Sequence, residues 1–524
     1  MLARAHVRRS LPPPVTLALA LAACLACALA GCGPAAPPAT TFVWAVGQGE
    51  PRFDPAGPPD PVRWMVERLL DQGLVVEDTT GRVMPGIARA WDVRPDGLTY
   101  TFHLRPGLAF DDGAPCTSAD VRRALESGLN RLDHSGYAWL LSAIVGVDHA
   151  RPGRPLPPLG IATPDDHTLV LRLARADPTL LRKLAIAGTS MPWPAVATLP
   201  EAGWRGGVGP YRLAAPAPGR RMVLARVAGD GPDTVRIEFA VTAARGRALM
   251  RRRQVDLLWP VPGGLFGEAP PAAYRVVTHP SRPTRRLWLV MRGDLPPTTR
   301  AEARRALALG MNRPDVIEAL GARGAEVGPW LPGGRPLDFP PHDVDAAHAA
   351  LDGANLGRSM HVVMAYPAEG AATADVARPL QNAWARAALD VELRPLRGGA
   401  FAAEALSNGG AQLLLVESAP WFDDAAAELA MLVETRRGPP VGGFHTGWRT
   451  RDFDRWVGPQ PPATTVDLDL AARRLEEDLV AIPLARLPWV WIERAGGTAV
   501  RAHARYGPCA QGATSASGAA RGSR

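Results

Sequence analysis

PGIARAWDVRPDGLTYTFHLRPGLAFDDGAPCTSADVRRALESGL, residues 85–129, compresses a turn, a strand, a second turn and a helix into one stretch. Pro95, Asp96 and Gly97 make the first turn, because proline presets one backbone dihedral and glycine supplies a positive one at no steric cost. Leu98, Tyr100, Phe102 and Leu104 then alternate with Thr99, Thr101, His103 and Arg105, a period of two that predicts a strand with one buried face. Asp111, Asp112 and Gly113 turn the chain again. Thr117 and Asp120 have the spacing of a capping box in which Asp replaces Glu or Gln, and Val121, Ala124, Leu125 and Leu129 share one helical face. Architecture accounts for every residue in this block, and none of them needs a chemical role.

Outward from it, the N-terminus decides the compartment. Arg4, Arg8 and Arg9 precede an apolar run over residues 15–30 that is too short for a committed membrane span, the pattern of an export signal covering residues 1–31. Its end, Leu29, Ala30, Gly31 and Cys32, resembles the lipobox of bacterial lipoproteins, which implies that Cys32 becomes the acylated N-terminus. One acyl chain alone binds a membrane marginally and several hold firmly. Residues 32–41, rich in Pro, Ala and Thr, read as a flexible tether, and residues 506–524, mostly Gly, Ala, Ser and Arg, are expected to be disordered.

The 524 residues leave room for two or three domains. The formal charge of +8 is carried by arginine spread thinly along the chain, Lys183 being its one lysine. The clusters at residues 251–253 and at Arg285 with Arg286 are short and lack interleaved aromatics, so they are expected to be solvated faces and no nucleic-acid partner is indicated. Of five cysteines, Cys24 and Cys27 fall in the signal and Cys32 at its end; Cys116 and Cys509 remain, either free or paired, and the fold cannot depend on disulfides. HExxH, GxSxG, a phosphate-binding loop and zinc-spaced cysteines are absent from the mature chain, so no catalytic residue, metal ligand or cofactor is assigned.

Further landmarks follow in order: DDHTLVLRL at residues 165–173, GVGPYRL at 207–213, ALMRRRQVDLL at 248–258 and TTRAEARRALALGMNRPDVIEAL at 298–320. In the last, Thr299 with Glu302 has capping-box spacing, and Asn312 with Pro314 starts a second helix. Strand, helix and strand at residues 361–364, 374–388 and 391–396 predict a parallel pair with a crossover. Together with the opening block, these landmarks resemble family 5 extracellular solute-binding proteins, the oligopeptide- and dipeptide-binding subunits of bacterial ABC importers. The resemblance implies an α/β, two-lobed periplasmic-binding-protein-like fold of type II with an additional inserted α/β domain. Residues 42–75, 174–285 and 487–505 would form the first lobe, 76–173 its inserted domain and 286–486 the second lobe.

Candidate ligand contacts come from residues 413–429, LLLVESAPWFDDAAAEL. In peptide-binding members an aspartate three residues after a tryptophan takes the ligand's α-ammonium group, and Asp424 matches that spacing from Trp421. A carboxylate shielded by two closing lobes pairs strongly with a cation, and an indole adds cation–π attraction. The same residues also suit an anchor and a helix cap. The family's arginine three before the tryptophan is Ser418 here, beside Glu417, which points to a cationic or neutral ligand unless another arginine substitutes. Trp64, after a proline-rich segment that in relatives pairs with extended ligand, lines a pocket or lies in the core. By resemblance the chain would be a monomeric lipoprotein outside the cytoplasmic membrane that is not an enzyme, with a peptide or other small solute and ABC permease subunits as partners. A ligand sensor and a secreted hydrolase are the competing readings.

Overall fold

The computed structural model describes residues 40–48, 61–110, 113–130, 141–147, 155–186, 207–215, 221–280, 285–326, 328, 337–356, 360–368, 372–397, 399–406, 409–418, 425–432, 446–448, 450–457, 464–497, 500–503 and 507–510. The chain separates into Met1–Thr40 and Thr41–Arg524, and the architecture below belongs to the second unit.

In chain order the first part contains β1 (Thr41–Ala45), α1 (Pro61–Leu70), β2 (Val75–Glu77), β3 (Val83–Pro85), β4 (Ala88–Val93), β5 (Thr99–Leu104), α2 (Ser118–Asn130), β6 (Ile161–Asp165), β7 (Thr168–Arg172) and α3 (Leu180–Leu184). It continues through β8 (Tyr211–Ala215), β9 (Arg221–Arg226), β10 (Thr234–Glu238), α4 (Ala243–Arg251), β11 (Leu257–Leu258) and β12 (Tyr274–His279). The second part contains β13 (Arg285–Met291), α5 (Ala301–Gly310), α6 (Arg313–Ala319), α7 (Val344–Gly353), β14 (His361–Pro367), α8 (Ala372–Arg386), β15 (Asp390–Leu396), α9 (Gly399–Leu406), β16 (Leu413–Ser418), α10 (Ala425–Leu432), α11 (Arg451–Val457), α12 (Thr465–Asp478) and β17 (Ala481–Leu487). The chain then returns as β18 (Trp489–Arg494), β19 (Val500–His503) and β20 (Gly507–Ala510).

Two sheets organise the molecule. The first lobe is built on a seven-stranded sheet in the order β12-β18-β11-β1-β10-β9-β8, the second on a five-stranded sheet in the order β15-β14-β16-β13-β17. A separate four-stranded sheet, β4-β5-β7-β6, holds the opening sequence block. Its strand β5 behaves as the period of two requires: Tyr100, Phe102 and Leu104 are buried, and the residues between them are half-exposed. They join Leu169 and Leu171 of β7 and Val121 and Leu125 of α2 in one apolar core, continuous with the inner face of the first-lobe sheet through Phe42, Leu224 and Ile237. The second lobe has its own core around Trp288, Met364, Trp384 and Leu415.

The GVGPY turn is a packing device. A Cβ on Gly207 would stand 1.9 Å from the Leu70 carbonyl oxygen and one on Gly209 2.4 Å from the Leu70 carbonyl carbon, so only glycine lets this turn lie against the end of α1. The Gly209 amide donates to the Leu70 oxygen at 3.0 Å. The strand–helix–strand unit β14-α8-β15 is a parallel pair with a crossover, in register from His361↔Asp390 to Pro367↔Leu396, as its spacing predicts.

Three expectations about local structure need correction. Helix α5 starts after Arg300, whose side chain makes no cap bond, so Thr299 with Glu302 is no capping box. At α2 the Asp120 carboxylate accepts from both the amide and the hydroxyl of Thr117, which supplies the carboxylate half of the expected box. A full box, both halves present, stands at Thr464 and Asp467, before α12. Gly507–Ala510, assigned by composition to a disordered tail, pairs antiparallel with Val500–His503 because backbone hydrogen bonding needs no particular side chain. Finally, Arg286 is 2% exposed and Arg285 is largely buried, so this pair is no solvated face.

Candidate ligand cleft

The site follows from strand directions. In the first lobe β1, β10 and β11 run parallel, with carboxyl ends at Ala45, Glu238 and Leu258. In the second lobe β14, β15 and β16 run parallel and end at Pro367, Leu396 and Ser418. Strand β18 is antiparallel to both β11 and β12, so β12 ends and β18 begins at the carboxyl edge of the first sheet. Strand β13 is antiparallel to both β16 and β17, so β13 begins and β17 ends at the carboxyl edge of the second. Both crossovers, β12 to β13 and β17 to β18, therefore join carboxyl edge to carboxyl edge. Open α/β sheets bind ligands in the crevice outside those edges.

The second crossover is a single residue, Pro488, between Leu487 and Trp489. Arg285, the first residue of β13, spans the junction: its Nη1 donates to the Pro488 carbonyl oxygen at 3.0 Å, and its guanidinium stacks 4.1 Å from the Trp489 ring centroid. The same guanidinium pairs with Glu417 at the end of β16. Below the junction lie three buried indoles. Trp44 and Trp259 stack at 5.9 Å, Trp259 meets Trp489 edge-on at 5.6 Å, and Trp44 Nε1 donates to the Trp259 carbonyl oxygen at 2.6 Å. Rigid aromatic packing of this kind fixes the first-lobe side of the junction from within the core.

On the second-lobe side, polar contacts fix the two elements that flank residues 419–424 in sequence. Before them, Ser418 accepts a hydrogen bond from Trp288 Nε1 at 3.0 Å. After them, Glu428 of α10 pairs with Arg286 of β13, with both side chains buried.

Trp421 and Asp424, the central candidates, lie outside the described residues, as does Cys32. Ser418 does lie at the carboxyl edge, but it is 3% exposed with its hydroxyl engaged by Trp288, so it holds the strand end and offers no surface to a ligand. Trp64 is corrected to a core residue: α1 is buried along its length, and Trp64, 3% exposed, packs in the first-lobe core. Arg285 and Trp489 reach the cleft edge without any local motif to announce them. Their only sequence signal is an arginine pair heading an apolar strand and a tryptophan following a proline.

Two open sheets joined twice through their carboxyl edges define a two-lobed solute-binding protein. Residues 82–439 match the family model of bacterial extracellular solute-binding proteins, family 5 Middle, and the chain belongs to this family. The periplasmic oligopeptide-binding protein OppA of Escherichia coli K12 is 34% identical over 128 residues, which is 24% of this chain and 23% of that protein, so the alignment spans about a quarter of the relative. Over the whole fold, Haemophilus influenzae OppA in complex with RPPGFSPFR superposes with a TM-score of 0.75 at 17% identity, covering 90% of this chain and 98% of that one. AgaA from A. tumefaciens R10 in complex with agropinic acid superposes with a TM-score of 0.73 at 19% identity, covering 88% and 94%.

Proposed function

We propose that this protein is the substrate-binding lipoprotein of an ABC-type importer. It captures a small solute, a peptide or related cationic compound, between its two lobes and delivers it to the permease from the outer face of the membrane, where acylated Cys32 anchors it. The observation that carries this reading is the pair of crossovers joining the two carboxyl edges: a ligand between them touches both lobes at once, so binding favours closure about the junction. The similar proteins suggest the ligand class, an oligopeptide for OppA and agropinic acid for AgaA.

Charge refines that class. Glu417 already neutralises Arg285, and Arg286, which the neighbouring strand brings opposite Ser418, is paired with Glu428. With both arginines already paired, Asp424 is the group proposed to meet the ligand, which favours a cationic or neutral ligand over one recognised by its carboxylate.

Calorimetry with peptide, amine and opine pools, paired with small-angle scattering, tests the reading. Binding accompanied by compaction is expected, and no compaction with any pool would sink it. Asp424→Asn is expected to weaken a cationic ligand by about 1.5–3 kcal/mol, the value of a charge-assisted hydrogen bond. Unchanged affinity moves the site elsewhere, and catalytic turnover of a ligand would favour the hydrolase reading instead.

A further inference from the structure

We propose that the outer face of β8–β10, together with the last turn of α4, is a docking surface for anionic phospholipid. The first-lobe sheet has two faces. On β8–β10, Tyr211, Met222, Leu224, Val235 and Ile237 enter the core, and alternation sends Arg212, Arg221 and Arg236 to the other side. Helix α4 covers that side only over the middle of the sheet, where Leu249 and Met250 pack on Ala45, Leu258 and Ile492.

The uncovered part has a marked charge imbalance. Glu238 is nearly buried there, with Arg245, Arg236 and Arg221 at 3.5, 3.7 and 3.8 Å, one carboxylate against three guanidinium groups. Helix α4 then delivers Arg251, Arg252 and Arg253, all exposed, to the edge where β1 begins. The nearby carboxylates are committed: Asp256 accepts from the Val43 amide at 2.8 Å and pairs with Arg494 at 3.2 Å, Asp233 pairs with Arg226, and Glu268 pairs with Arg247.

The position of this face selects the occupant. Thr41, where the chain enters the sheet, lies in register with Thr234, which faces Ala225, which faces Arg212. Three strand spacings put Arg212 about 14 Å from the entry point. Cys32 precedes Thr41 by nine residues, a reach of at most about 30 Å. An anchored chain thus keeps these arginines close to the headgroups, whose phosphates suit the guanidinium fork. The proposal rests on the lipid-anchor reading.

The test is vesicle co-sedimentation of the full chain and of Cys32→Ser, using phosphatidylcholine alone and phosphatidylcholine with phosphatidylglycerol as about a third of the lipid. Cys32→Ser is expected to bind only the anionic vesicles, with binding that falls as salt rises and about fivefold for each of Arg212→Gln, Arg236→Gln and Arg252→Gln. Equal behaviour toward both vesicles, or indifference to these substitutions, overturns the proposal. Binding to polyglutamate but not to anionic vesicles also overturns it, by assigning the face to an acidic protein. Failure of the unsubstituted chain to bind neutral vesicles sinks the anchor reading separately.

Discussion

Arg286 and Glu428, 142 residues apart in sequence, form a buried ion pair in which Arg286 Nη1 lies 2.6 Å from Oε1 and 2.5 Å from Oε2 of the carboxylate. The side chains are 2% and 1% exposed. This pair ties the first residues of β13 to α10, so the position of that helix depends on a contact no local sequence encodes. Glu428→Ala removes a buried charge partner of Arg286 and is expected to cost about 3–5 kcal/mol in urea unfolding. Arg286→Met combined with Glu428→Leu should cost clearly less, and a double variant as unstable as the single would show that the charge is not the issue.

Ser418→Ala removes the acceptor of the Trp288 indole N–H, which is fully buried. An unsatisfied buried donor costs about 1–3 kcal/mol. Chemical denaturation should register that loss, while Ser418→Thr, which keeps a hydroxyl, should recover part of it. A loss within a few tenths of a kcal/mol for Ser418→Ala would contradict the role given to this bond.

Asp177 and Lys183 form a second largely buried pair, at 2.7 Å. Burial pushes the Asp177 carboxyl up, but the Lys183 charge and hydrogen bonds from Lys183 and Thr179 outweigh it and hold the group below its ordinary value of 3.8. Because the folded-state value is the lower one, the pair stabilises the protein above the unfolded value and that stability is lost as pH falls through the folded one. Melting temperatures should therefore drop from about pH 4 downward, and Lys183→Met should flatten this acid limb. An identical acid limb in the variant would exclude the pair as its source.

Cys116 is a free thiol, buried where burial and the neighbouring Asp120 push it up to about 12. Thiolate is the reactive form, so maleimide should not modify the Cys116 peptide at pH 8 in the folded protein and should modify it rapidly in denaturant. Mass spectrometry of the digested peptide separates this cysteine from the others. Fast labelling under native conditions would mean that the strand–turn–helix block opens readily.

Much of the architecture was legible in residue order because it is written in short-range patterns. The alternation of β5, the β14-α8-β15 spacing and the glycines of the GVGPY turn each depend on neighbours within a few positions, and the turn's meaning became clear once Leu70 was found pressed against it. The misreadings have the opposite character. Composition made Arg285 and Arg286 look solvated, because nothing within ten residues of them announces Glu417 or Glu428. For Trp64, beside a proline-rich segment, sequence left pocket and core both open, and the burial of α1 places it in the core.

Sequence by itself determined the class of this protein: ordered landmarks over most of the chain specify two α/β lobes, because strand and helix periodicities are local and survive low identity. Only the tertiary structure decided where a solute can be held. The cleft exists because strands distant in sequence run in directions that bring two carboxyl edges together, and its borders are set by ion pairs and indole contacts between residues more than a hundred positions apart. Long-range pairing of buried charges depends on which surfaces the folded lobes exclude from water, and no stretch of residues read in isolation contains that information.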